Sequence, residues 1–536
     1  MKNILWGLCL CLCVVAGCNK MLDEEVVSSV TDDFYNTPAG FQTAVNGSYS
    51  ALRSFYSTER GMTVTVFGTD TYTNGSDGDF KFANQYTSQL DARYTHLRDI
   101  WNNFYQTINT CNAVQGRADQ VPELDSAVKR SGVAQARFCR ANYYFILLQL
   151  FGPVPLRLQE NKEILTEAHR DPVADIYNAI IADLNYAVQV LPVTQTEWGR
   201  ATKPAAEHLL ARVYLTRASS EVAGASDYDS AAAYSSKLIS AYGFQLLPDV
   251  GQVWAQGKEN NQETIFAVQY TTDALYNSTD NNACRFFLMQ YDILGMKRDL
   301  ANGTPWKRFR PTRFLLDTLY KERVHDTRYD KFFTTTWYAN DPAGKIPVGD
   351  TIVYMPGYDV PDAVIKSKTY LMVPPRNYTE RLYPSLNKFA DALRPDNQAS
   401  GVRPFIAYRL AEDYLIAAEA LMYKGDKAGA VSYINTLRTR AARVGATEGE
   451  TTAHKEAMKI TEDQLNIDFI LDERGRELVG EQMRWFDLVR THKLLERVRL
   501  HNPQGGPNIE EKHTLRPIPQ DQIDRTSNEF PQNKGY

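Results

Sequence analysis

Ala134-Gln135-Ala136-Arg137-Phe138-Cys139-Arg140-Ala141-Asn142-Tyr143-Tyr144-Phe145-Ile146-Leu147-Leu148-Gln149-Leu150-Phe151 is the most continuously apolar part of the chain beyond its leader. It stops at Gly152, with Pro153 and Pro155 behind it. Its pattern predicts a central helix about 27 Å long at 1.5 Å per residue, and Arg137, Arg140, Asn142 and Gln149 make it a poor membrane span. Tyr143 to Leu148 are consecutive apolar residues, so this helix is apolar nearly all round and must be covered on most sides.

The flanking segments supply the cover. Thr31-Asp32-Asp33 is a good N-cap region, and Pro38 opens a helix through Ala44, Tyr49, Ala51 and Leu52. Trp101, Phe104, Tyr105, Ile108 and Ala113 recur at helical spacing, which assigns Trp101 to the core. Asp171-Pro172 opens a helix through Ile176, Ile180, Leu184, Ala187 and Leu191. Arg200 to Pro204 caps another over Ala205 to Thr216, with Tyr228 to Tyr242 as its partner. Leu410 to Tyr423, the turn Lys424-Gly425-Asp426 and Ala428 to Arg440 make a last helix, turn and helix. Small residues such as Ala417, Ala418, Ala420, Ala428 and Ala430 let paired helices approach closely, as in a tetratricopeptide unit. We expect a mainly α fold of four such pairs, irregularly spaced and so a decorated bundle rather than a clean solenoid.

Two regions break the pattern. Residues 61–95 mix Gly, Asn, Asp, Thr and Ser with Phe67, Tyr72, Phe80, Phe82, Tyr86 and Tyr94, and read as a long loop that its aromatics keep from being disordered. Between 244 and 400 helical periodicity fails, and only short β-like runs, Thr264 to Val268 and Thr351 to Tyr354, stand among Pro, Gly, Asn and Tyr. The expected organisation is a leader (1–17), a tether (18–30), a helical region (31–243), an inserted loop-rich lobe with a few short strands (244–400) and a C-terminal helical region (401–536).

The 536 residues are 43% apolar and 23% charged, enough to bury a large core. A net charge of -5 and the lack of a basic run with interleaved aromatics argue against a nucleic-acid surface. Met1-Lys2-Asn3 and the apolar run Ile4 to Ala16 form a secretory leader. It ends in Val15-Ala16-Gly17-Cys18, which resembles a bacterial lipobox and marks Cys18 for lipidation; with two or three acyl chains the anchor would be stable. The following Asn19-Lys20-Met21-Leu22-Asp23-Glu24-Glu25 resembles the export tag of surface lipoproteins in the Bacteroidetes, or is a solvated linker. Cys111, Cys139 and Cys284 remain, an odd number without close spacing, so neither a disulfide framework nor a Cys-ligated metal site is expected, and Cys139 reads as a core residue.

Catalysis has thin support in the sequence. The eight His are scattered, and there is no His-Glu-x-x-His, phosphate-cradling glycine loop or Gly-x-Ser-x-Gly elbow, so no cofactor and no metal is expected. Glu473, Glu477 and Glu481 could be imagined as the carboxyl pair of a glycosidase. With Arg474, Arg476 and Arg484 interleaved they read instead as a salt network that includes Asp487, and Arg pairing lowers carboxyl pKa values, opposite to the need of a general acid.

Several motifs together resemble the SusD/RagB family of outer-membrane lipoproteins. They are Ala136-Arg137-Phe138 through Tyr143-Tyr144-Phe145 to Leu150-Phe151-Gly152-Pro153; Arg409-Leu410-Ala411-Glu412-Asp413-Tyr414-Leu415 with Ala418-Glu419-Ala420; Asn435 with Leu437-Arg438-Thr439-Arg440-Ala441; Glu473-Arg474, Glu477-Leu478 and Arg484-Trp485-Phe486-Asp487-Leu488; Pro517-Ile518-Pro519; and Gln532-Asn533-Lys534-Gly535-Tyr536. The resemblance implies a cell-surface, lipid-anchored, non-catalytic protein that captures a glycan or other nutrient. It also implies a partner, a SusC-like TonB-dependent transporter in the outer membrane on which the protein sits as a lid.

The family motifs are scaffold motifs and name no ligand. A sugar offers C–H faces to rings and hydroxyls to Asp, Asn and Arg. That mixture occurs at Asp70, Tyr72, Asn74 and Asp77, and in the lobe at Tyr276, Arg285, Trp306, Arg308, Trp337 and Tyr338, regions that the resemblance places across a ligand site. A peptide-binding scaffold, a surface-anchored glycoside hydrolase and a tetratricopeptide interaction module remain the alternatives.

Overall fold

The computed structural model describes residues 34, 36–273, 280–293 and 295–536; the leader, the tether with Cys18, and Tyr276 lie outside the described residues. Eight helices that pack in pairs organise the described residues. Helix α1 (Pro38–Gly47) starts where the Thr37 side chain accepts from the Gly40 amide. After α2 (Thr95–Arg117) comes the central helix α3 (Ser126–Phe151), started by Asp125, whose carboxylate accepts from the amides of Ala127 and Val128. Then follow α4 (Val173–Val190), α5 (Lys203–Ala218), α6 (Asp227–Ala241), α7 (Leu410–Tyr423) and α8 (Lys427–Arg440).

The helices pack in four pairs, α1 on α2, α3 on α4, α5 on α6 and α7 on α8, and the pairs are chained by contacts of α2 with α3, α4 with α5 and α6 with α7. Of residues 134–151 all are buried except Arg137 and Gln149, which is the all-round cover that the apolar sequence requires. Its polar members are paired: Arg140 holds Asp183 of α4 at 2.8 Å and donates to Asn112 Oδ1 of α2 at 2.6 Å. Gly132 lets α1 approach, since a Cβ there would lie 2.6 Å from Phe41.

The rest is built from short pieces. Strand β1 (Tyr72–Asn74) pairs with β3 (Phe309–Pro311), and β2 (Thr264–Val268) with β9 (Phe405–Arg409). Strands β4 (Phe333–Thr334) and β8 (Ser385–Leu386) form a third pair, and β5 (Thr336–Tyr338), β6 (Thr351–Tyr354) and β7 (Leu371–Met372) a three-stranded sheet. The β2–β9 pair is set on the central helix, with Phe266 and Tyr408 5.3 and 6.4 Å from Phe138.

Residues 61–95 are not the loop that their composition predicts. They hold most of a short helix (Glu59–Thr65), β1 and a second short helix (Lys81–Gln85). Polar residues are buried there because their groups find partners inside: Thr63 and Thr65 donate to carbonyls one turn back at 2.6 Å. Asn84 donates to Asn74 and accepts from Asn502.

The charged C-terminal motifs form a buried network, but across elements more than along one helix. Glu473 meets Arg328, Arg438 and Arg476; Glu477 meets Arg328, Arg409 and Arg440; Glu481 meets Arg409 and Lys388. Burial alone would raise the Glu473 carboxyl, but Arg328, Arg476 and Arg438 outweigh it and hold it well below the usual range. Burial pushes the Lys388 amine down to about 8, against the pull of Glu481. Among the described residues no helix is long and apolar enough to cross a membrane, and no group of three or more His, Cys, Asp or Glu is placed to hold a metal.

Candidate functional site

The β1–β3 pair brings the two candidate regions together. Past Asn74 the chain lies directly on residues 307–308: the Gly75 amide donates to the Arg308 carbonyl at 3.0 Å, and a Cβ on Gly75 would sit 2.0 Å from the Lys307 oxygen. Only glycine permits that approach. On the other side, the amides of Trp306 and Arg308 donate to the carbonyls of Arg285 and Phe286 at 3.0 and 2.9 Å. Residues 306–308 are thus held from both flanks by main chain.

These bonds place four of the candidates in one patch. The half-buried Trp306 ring packs on Phe286, with centroids 5.7 Å apart, and the guanidinium carbons of Arg285 and Arg308 lie 5.0 and 5.4 Å from its centre. Arg308 bridges Glu59 at 2.9 Å and Asp77 at 3.3 Å, and Lys307 adds a contact to Asp77 at 3.6 Å. Asp77 keeps 53% of its side chain in water. Burial raises the Glu59 carboxyl, Arg308 opposes the rise, and Asp79 and Asp77 add to it. Below the patch, burial together with Arg60 and Arg308 brings the His96 imidazole down to about 3, so it stays neutral against Phe80. The result is a fixed ring beside forked donors and carboxylate acceptors, a set suited to a polyhydroxylated ligand.

Other candidates need correction. Asp70 is fully buried and its carboxylate is held by Arg484 at 2.5 and 2.7 Å, so it is a structural ion-pair partner with no surface to offer. Tyr72 is likewise fully buried, packed edge-on to Phe287. Asn74 is buried in the Asn84–Gln504 hydrogen-bond cluster. Arg285 backs Trp306 but is itself buried, donating to the Asn397 and Ala399 carbonyls. On β5 the strand alternation turns Trp337 inward to stack on Tyr291 at 4.8 Å and leaves Tyr338 56% exposed. No contact among the described residues joins Tyr338 to the Trp306 patch. Glu59 and Lys307 belong to the patch and carried no signal in the sequence, since nothing local marks either as more than a solvated charge.

A hydrolase would need two carboxyls facing each other across open space. Glu473 and Glu477 are sealed under arginines, and between Glu59 and Asp77 stands the Arg308 guanidinium, where a water or glycosidic bond would have to lie.

Comparison with known proteins agrees in fold and sequence. The family model described as "SusD family" matches residues 251–536, and one described as "Starch-binding associating with outer membrane" matches residues 20–215. "SusD-like protein P2" of Formosa agariphila is 27% identical over 98% of both chains. "Starch-binding protein SusD" of Bacteroides thetaiotaomicron is 24% identical over 78% of this chain and 75% of its own. A solved structure titled "Laminarin binding SusD-like protein" superposes with a TM-score of 0.70 at 20% identity, over 93% of this chain and all of that one. The chain belongs to the SusD family.

Proposed function

We propose that the protein is a cell-surface glycan-binding lipoprotein that captures oligo- or polysaccharide at the Trp306–Arg308–Asp77 patch without transforming it. It then passes the ligand to a SusC-like TonB-dependent transporter. The observation that carries this reading is the pinned Trp306 ring with Arg308 and the half-exposed Asp77 beside it. A ring already held by its packing on Phe286 and two arginines loses little entropy on stacking against a sugar face. The family's starch- and laminarin-binding members, and the outer-membrane association named for residues 20–215, support the ligand class and the location. Anchoring through lipid on Cys18 follows from the lipobox.

Calorimetry of the full-length protein in detergent against laminarin, starch, xylan and a peptide mixture tests it. Binding to a polysaccharide is expected, at least tenfold weaker in Trp306→Ala, with no release of reducing ends. Binding to the peptides alone, or turnover of the bound glycan, contradicts it.

A further inference from the structure

Away from the Trp306 patch, a cleft of about 270 Å³ opens between α1, the segment 197–200 and the end of β2, lined by Asn46, Tyr49, Arg53, Trp198 and Gln269 among others. Trp198 differs from the other described tryptophans. Trp101, Trp254, Trp306, Trp337 and Trp485 each pack against another ring, whereas half-buried Trp198 makes no ring or cation contact among the described residues. An indole that lines an open cleft and stacks on no other ring offers the exposed part of its apolar face to a ligand.

The cleft is also rigid. Gly199, at φ 93°, lies so close to Gln269 that a Cβ would come 2.4 Å from its Cγ, and the Arg200 amide closes a turn onto the Glu197 carbonyl. Tyr49 is fixed through its hydroxyl, which donates to Gln135 at 2.9 Å and accepts from the Ala201 amide at 3.0 Å. Of the three charged residues that line it, Glu197 and Arg200 pair at 2.7 Å, and Arg53 is the third. Asn46 accepts from Gln42 through Oδ1, and its Nδ2 donors make no hydrogen bond among the described residues. An indole, amide groups and arginines, one of them paired with Glu197, suit a polyhydroxylated ligand rather than a cation.

We infer that this cleft is a second saccharide subsite that takes a polysaccharide already held at the Trp306 patch; the ligand class rests on that reading. Arg53 lines the cleft and Glu59 bridges to Arg308 of the patch. They are six positions apart in the chain, so their backbones are at most about 21 Å apart. A glycan chain long enough to span that distance would engage both, and the second contact would then form at high effective concentration.

The test compares laminarin and amylose with their trisaccharides on full-length wild type, Trp198→Ala, Asn46→Ala and Trp306→Ala, with melting temperature as the folding control. Both cleft variants are expected to cut the ratio of polysaccharide to trisaccharide affinity, Trp198→Ala at least fivefold, while Trp306→Ala weakens both lengths. If Trp306→Ala weakens binding and both cleft variants keep the wild-type ratio, the subsite is wrong and the Trp306 reading stands. If wild type binds neither glucan, both fail.

Discussion

The network beneath Glu473 and Glu477 and the patch around Trp306 are built from the same residue types, arginines, carboxylates and rings, yet water separates their roles. Glu473, Glu477 and Arg328 expose none of their side chains, whereas Asp77 exposes about half of its own. In the first, each charge depends on its partners, and removing one leaves an uncompensated buried ion. In the second, solvent screens the Asp77 pairs, which add little to stability, and screens the less exposed Arg308–Glu59 pair only in part. Arginine and acid in sequence therefore say nothing about scaffold or site until burial is known.

The comparison can be broken at several points. The largest effect belongs to Glu477→Ala, which takes one carboxylate from each of the buried Arg328, Arg409 and Arg440 and should cost about 3–5 kcal/mol in a denaturant melt. A loss under 1 kcal/mol would remove the distinction between the two regions. The same network sets an acid limit. The folded carboxyls of Glu473 and Glu477 sit below their unfolded values, so their contribution is present above the ordinary Glu pKa of about 4.3 and is lost as pH falls through the folded values. Melting temperature against pH should drop on that acid side, less steeply in Glu477→Gln.

Packing comes next. Gly132→Val would push into Phe41 and Val45 and should cost about 1–3 kcal/mol while leaving glycan affinity intact. Arg308→Ala leaves the largely buried Glu59 without its partner and should cost about 1–2 kcal/mol in stability, with an affinity at least tenfold weaker, about 1.4 kcal/mol. The smallest effect belongs to Tyr338→Ala, expected within about 0.5 kcal/mol in stability.

The scaffold was legible because burying a helix pair leaves a repeating mark. The apolar run Tyr143 to Leu148, the small residues of α5 and α7 and the caps at Pro38 and Thr202 all follow local rules, and the four pairs formed where those rules put them. Residues 61–95 misled because a Thr- and Asn-rich segment resembles a loop unless its hydrogen-bond partners are known. The Asn74 main-chain amide finds its acceptor in Gln504, 430 positions away. Asp70 and Tyr72 have the composition of a binding loop, but Arg484 and Phe287 claim them from distant sequence. Of the candidates, Trp306, Arg308 and Asp77 came together at the surface, while Trp337 and Tyr338 were separated by the two-residue alternation of a strand whose inner face no local pattern announced.

The most direct measurement is the affinity of the full-length protein for laminarin and starch in wild type and Trp306→Ala, each checked by its melting temperature. The expected result is measurable binding to one of the glucans that falls at least tenfold in Trp306→Ala at an unchanged melting temperature. Equal affinity in both proteins would contradict the placement of the ligand on the Trp306 ring.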